Sequence, residues 1–267
     1  MKPIITFLTI ITLFTQSVFA QNDSPYKTSF KVDAPVIAAG MGLSYWGLTR
    51  MQDKEGLTEA EAMQLSIDDV NGFDRFGAGN YSLSAKKASD IPFYGSFASP
   101  LLLLLNEDVR SNSGQVAVLY LETMAITGAL FTMVNGSVRR SRPLTYSTEA
   151  PLDEKVEANT QNSFYAGHTS ATAAATFFAA KIFHDFNPDS PARPYVWAAA
   201  AAVPATVGYL RLKAGKHFLS DNILGYFVGA SVGILVPQLH KKTNNTNVSI
   251  FPVSAPGYNG AALTYTF

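Results

Sequence analysis

Four long apolar stretches, roughly 115–135, 168–184, 195–212 and 222–239, dominate the second half of the chain. Each is long enough for a helix and too long for a typical strand. Alanine-rich runs at 171–180 and 198–202 favour helix over sheet. Polar linkers separate the stretches, with "NPDSPARP" (187–194) the plainest break. Upstream, "APVIAAGMGLSYWGL" (34–48) predicts a helix or short span, and "LTEAEAMQLS" predicts a helix that starts at a Thr58 N-cap. "DDVNGFD" (68–74) fails as a calcium loop, because Ile67 falls where the first carboxylate should stand. From residue 243 onward the pattern alternates around Pro and Gly, as a β-hairpin or extended arm does. The pattern therefore predicts an all-α, antiparallel helical bundle with a short extended C-terminal arm.

Composition narrows this. Charged residues make up only 15% of the chain, against about 25% in soluble domains, which fits either an Ala-rich soluble helical protein or a membrane-embedded bundle, the latter being the expectation. The net charge of zero advertises no nucleic-acid partner. The absence of cysteine removes disulfides, thiolate metal sites and thiol nucleophiles together. The first twenty residues read as a secretory signal: Lys2, an apolar run from Ile4 to Phe14, and the small-residue site "SVFA" ending at Ala20. The expected organisation is a signal at 1–20, an N-terminal lead at 21–95, the helical domain at 96–240 and a tail at 241–267. The expected location is the bacterial cell envelope, after export.

Candidate chemistry falls in three clusters: "RRSRP" (139–143), "YAGHTS" (165–170) and "RLKAGKHFLSDN" (211–222). They sit at the end of one apolar stretch, the start of the next, and between the last two. In an antiparallel bundle with short connections, all three meet at one end. Arg142 and Arg211 offer planar donors that suit a phosphate or carboxylate. The helix start at Gly167 and His168 adds free N–H groups, and glycine permits close backbone approach. If 217–221 is helical, Asp221 stands one turn after His217 and accepts a hydrogen bond from its ring. Singly, these residues read as helix-end charges, caps and surface contacts. Together they are the parts for attack on phosphorus by one histidine while the other protonates the leaving oxygen. Two arginines neutralise the phosphoryl oxygens, so neither a metal nor a cofactor is implied.

The three motifs resemble those of the type 2 phosphatidic acid phosphatase superfamily, which includes class A acid phosphatases and vanadium haloperoxidases. That family carries Lys-x6-Arg-Pro, Pro-Ser-Gly-His and Ser-Arg-x5-His-x3-Asp, and here the counterparts are "NGSVRRSRP", "YAGHTS" and "LRLKAGKHFLSD". The resemblance implies His217 as nucleophile, Asp221 as its orienting partner and His168 as general acid. Arg142, Arg211 and the Gly167 amide would hold the phosphoryl oxygens. Asn135 stands in place of the family lysine, with Arg140 or Arg139 the candidates to compensate, and Ala166 and Leu210 replace family serines. The implied activity is metal-independent hydrolysis of phosphate monoesters or pyrophosphates, of lipids in the first place, through a phospho-histidine. The alternatives are a soluble periplasmic acid phosphatase, a catalytically weakened phosphate-binding scaffold and, behind these, a vanadate haloperoxidase. If 34–48, 97–106 and 115–135 all cross a membrane, a cleaved amino terminus puts the site on the cytoplasmic side, whereas the resemblance implies a periplasmic one.

Overall fold

The computed structural model describes residues 24–242, 248–255 and 258–265; the signal expected at 1–20 lies outside the described residues. Its main helices are α1 (Phe30–Gln52), α2 (Glu59–Gln64), α3 (Leu83–Phe97), α4 (Ser113–Ser137), α5 (Gly167–Phe186), α6 (Arg193–Lys213) and α7 (Leu219–Leu239). Short helical turns link them. The arm is an antiparallel hairpin of β1 (Val248–Ala255) and β2 (Tyr258–Tyr265), with Val248 opposite Tyr265.

The four predicted apolar stretches become α4 to α7. Residues 34–48 extend into the long α1, and Thr58 caps α2 through a reciprocal capping box with Glu61. α5 is the centre of the bundle, packed against α7, α6, α4 and α3, while α1 lies along α4 and α3 along α6. The boundary expected at residue 96 thus falls inside α3, and both α1 and α3 are integral to the bundle. Residues 97–106 do not form one long helix. They follow α3 through a bend of 45° into a short helical limb that ends at Leu105.

Two features of the sequence set the packing. Gly225, Gly229 and Gly233 recur every fourth residue on the face of α7 turned to α5. A Cβ there would stand 2.5, 2.0 and 2.5 Å from the carbonyl oxygens of Ala166, Ser170 and Ala174. The two backbones therefore touch, as small-residue stripes allow between apolar helices. In α4 the buried hydroxyls of Thr123, Thr127 and Thr132 donate to the carbonyls of Leu119, Thr123 and Gly128, so threonine enters an apolar interior with its polar atoms satisfied.

A hydrophobic cluster of Tyr26, Leu103, Val109, Val116, Leu119, Phe178 and Ile182 closes the end where α5 finishes. There the segment before α1 is strapped to the segment after α7. Tyr26 bridges Lys241, the Lys27 amide donates to the His240 carbonyl at 2.8 Å, and the Lys242 amide donates to the Pro25 carbonyl at 2.7 Å. α4 and α7 are long and apolar enough to cross a membrane, and the bent α3 pair is a third candidate. Leu101, Leu105, Leu121, Leu130, Phe227 and Leu235 all face outward. Long apolar helices with an apolar outer belt are the features of a membrane protein.

Candidate active site

The end of α4, the start of α5, the end of α6 and the start of α7 meet at one end of the bundle, as their order predicts. Main-chain bonds fasten the three motifs to one another. The Arg142 amide donates to Thr160 at 2.8 Å, Leu144 to Gly215 at 3.0 Å, and Ala166 to Asp221 at 3.1 Å. Gly215 ends α6 with φ +69°, and a Cβ on it would lie 1.9 Å from the Asn80 carbonyl oxygen. Glycine is required at that turn, which swings His217 back into the site.

His217 is buried, and its Nδ1 lies 2.7 Å from the carbonyl oxygen of Ser163. A carbonyl only accepts, so Nδ1 carries the proton and Nε2 keeps its lone pair. Burial holds the His217 ring well below the usual imidazole range, and the charges of Arg142 and Arg211 push the same way. The ring is therefore neutral at pH 7. His168, on the first turn of α5, has Arg211 Nη2 2.9 Å from both ring nitrogens, and the Phe93 ring stacks on it at 4.0 Å. Burial, then Arg211 and Arg142, push its pKa down to about 3. Arg211 also donates to Ser89 Oγ at 3.3 Å and lies 3.6 Å from Asp90. The Nε atoms of Arg142 and Arg211 are both buried without a protein acceptor among the described residues.

Several expected placements are corrected. His217 precedes α7, so the 217–221 segment is not one helical turn and Asp221 does not bond the ring. Asp221 instead accepts from Ser163 Oγ at 2.7 Å, from the Phe218 amide at 2.8 Å and from Arg140. It fixes the Ser163 segment, whose carbonyl in turn orients His217. Arg140 is not free to replace a cradle lysine. Its guanidinium joins buried Asp221 to buried Asp74, 2.7 Å away, and lies over the Phe218 ring. Arg139 reaches outward to the Gly56 carbonyl. Asn135 is fully buried and donates to the Asn162 carbonyl at 3.3 Å, on the wall of the loop. At Gly167 the close approach is made by Phe131, whose ring lies 2.6 Å from where a Cβ would stand.

Other residues of the site carry little sequence signal. Asp74 accepts from the Ser220 amide at 2.9 Å and its hydroxyl at 2.6 Å. These bonds and Arg140 outweigh burial, so the Asp74 carboxyl stays below its ordinary range. Lys54 Nζ donates to the carbonyls of Asn135 and Val138, at the C-terminal end of α4 where a cation is favoured. Lys216 is a half-buried cation beside the arginines; burial, then Arg142 and Lys86, push it down to about 8. Its place next to His217 in a charged break was the one available signal.

Two histidines, the buried Arg211 and the buried Nε of Arg142 gather at one end of the bundle, an arrangement that suits a phosphoryl group. Residues 116–245 match the family model of the PAP2 superfamily. The resemblance read from the three motifs holds: this part of the chain is a PAP2-superfamily domain, a phosphatase domain. The chain is also similar to a transmembrane PAP2-type phosphatidylglycerolphosphate phosphatase from Bacillus subtilis. That likeness has 17% identity and a TM-score of 0.39 over 87% of this chain and 94% of the other. Comparison with curated protein sequences finds no match.

Proposed function

We propose that the domain hydrolyses lipid phosphate monoesters or pyrophosphates through a phosphorylated His217, without a metal in the reaction. The observation that carries this reading is the pair of buried Nε–H groups of Arg142 and Arg211, unpartnered by protein, on side chains whose charges both act on His168 and His217. Buried donors of this kind suit an anion. The His217 Nε2 lone pair attacks phosphorus, and the P–O bond to the leaving group breaks as His168 gives that oxygen its proton. Water then attacks phosphorus, giving a proton to His168, and the P–N bond breaks, which releases phosphate and neutral His217. A dianionic substrate beside Arg211 and His168 opposes the arginine field and raises the His168 pKa, supplying the proton the first step needs. Asp221 and Ser163 act as positioning residues, and Lys216 adds a third cation to the cradle.

A lipid substrate is supported by a groove of about 640 Å³ between α6 and α7. Gly208, Leu212, Ile223, Tyr226 and Phe227 line it, together with Thr169 and Asn222, the chain neighbours of His168 and Asp221. Such a wall suits an acyl or prenyl chain. The resemblance favours a site that faces the periplasm. The test is phosphate release in detergent micelles together with acid-quench trapping of 32P-labelled enzyme. Phosphatidate or a prenyl pyrophosphate is expected to exceed nucleotides and p-nitrophenyl phosphate in kcat/KM, and His217→Ala is expected to abolish both label and turnover. Undiminished labelling in His217→Ala refutes the nucleophile; preference for soluble esters refutes the lipid.

A further inference from the structure

At the other end of the bundle, three residues from three helices converge. Asp33 lies in the first turn of α1, Glu122 in the body of α4 and His240 at the C-terminal end of α7. One ligand atom from each lies within 4.8 Å of the other two. α7, of 21 residues and roughly 30 Å long at 1.5 Å per residue, separates this cluster from Asp221.

The histidine is oriented from behind. His240 Nδ1 bonds the Val236 carbonyl at 2.8 Å, so Nδ1 carries a proton and Nε2 faces the two carboxylates. A backbone carbonyl behind the ring is the usual outer partner of a metal-binding histidine. Asp33 is likewise fixed, its Oδ2 accepting from the Ser29 amide at 2.7 Å, which leaves Oδ1 for the cluster. Glu122 is only 6% exposed, and its Oε2 has no hydrogen-bond donor. Among the described residues no lysine or arginine pairs with Asp33 or Glu122; His240 is their sole ionic neighbour.

The distances separate two ways of balancing this charge. Nε2 lies 3.3 Å from Asp33 Oδ1 and 3.4 Å from Glu122 Oε2. A charge-assisted N–H···O bond is about 2.7–2.9 Å, and one Nε2–H would draw closer to one oxygen than the other. Ligands at about 2.0–2.1 Å from a tetrahedral zinc stand ~3.3 Å apart, which matches the two spacings from Nε2, and the two carboxylate oxygens lie within 4.8 Å of each other. A divalent ion also cancels the two carboxylates. We propose that Asp33, Glu122 and His240 form a divalent transition-metal site, zinc by preference, that staples α1, α4 and α7 at the end of the bundle opposite the catalytic residues. The His240 side chain is 13% exposed, so the cluster lies near the surface of the bundle.

The test uses the full chain without a polyhistidine tag, purified in detergent, stripped with chelator and titrated with Zn2+ alone against a competing indicator. One equivalent is expected to bind and to raise the melting temperature. His217→Ala is expected to keep that equivalent, which separates this site from the catalytic histidines. Glu122→Gln and His240→Gln are expected to weaken binding by more than the roughly 10–100-fold that loss of an outer partner costs. Co2+ in the wild-type chain is expected to give the visible absorption of a four-coordinate nitrogen and oxygen site, a readout that needs no variant to fold. Absence of uptake, or an equivalent unchanged in both glutamine variants, overturns the proposal.

Discussion

Arg140 and Arg142 stand two residues apart, yet their surroundings assign them different roles. Arg140 is the counter-charge of Asp74 and Asp221, which are 1% and 0% exposed. Removing one partner of a buried pair costs about 3–5 kcal/mol. Arg140→Ala is therefore expected to lower the melting temperature sharply, by circular dichroism in detergent. Arg142 has a buried Nε without an acceptor, so Arg142→Ala should melt near the wild type. It should lose on the order of 10²–10³ in kcat/KM, the cost of one preorganised donor. Lys216 gives a pH signature. With its pKa at about 8, it is cationic below that value and neutral above. Phosphate or vanadate inhibition is expected to weaken as the pH rises through 8, and Lys216→Met to flatten that dependence. An equally steep profile in the variant would exclude Lys216 from the cradle.

At the level of elements, the helices and their meeting place were legible because long apolar runs with polar breaks leave few other arrangements. The partnerships inside the site were less so. A spacing of four between His217 and Asp221 means adjacency only within a helix, and the Gly215 turn keeps His217 outside α7. Nothing local marks Asp74 as a partner of Arg140 or Ser163 as a partner of Asp221, since those contacts depend on loops from distant parts of the chain. Likewise α3 brings Ser89, Asp90 and Phe93 to the site from a segment with no catalytic motif. The glycine stripe of α7 offers the sharpest element-level test. A side chain at Gly229 meets the Ser170 carbonyl at 2.0 Å, so Gly229→Val must part α5 from α7. Overpacking of this kind costs about 1–3 kcal/mol. Because the two helices carry His168 and Asp221 at their starts, kcat is expected to fall with the melting temperature.

For the whole molecule, α1 has Asp33 at the His240 end and delivers Lys54 to the catalytic end. Residue 24 and the site therefore lie at opposite ends of the bundle. If the bundle crosses a membrane along its axis, a cleaved leader and a periplasm-facing site exclude each other. The chain has no cysteine, so single substitutions report the orientation cleanly. Thr148 is exposed on the catalytic-end loop and Ser111 is exposed ahead of α4. For the proposed orientation, Thr148→Cys is expected to react with an impermeant maleimide in intact cells, and Ser111→Cys only after permeabilisation. The reverse pattern would put the site in the cytoplasm.

The strap that joins residues 25–27 to residues 240–242 makes the described bundle nearly a ring. Its seam lies at the end away from the chemistry, with the two strands already hydrogen-bonded to each other. The order of the helices along the chain is then separable from their order in space. A chain closed across that seam and opened in the exposed 148–149 segment would present the same helices, the same contacts and the same catalytic end, beginning at a different residue.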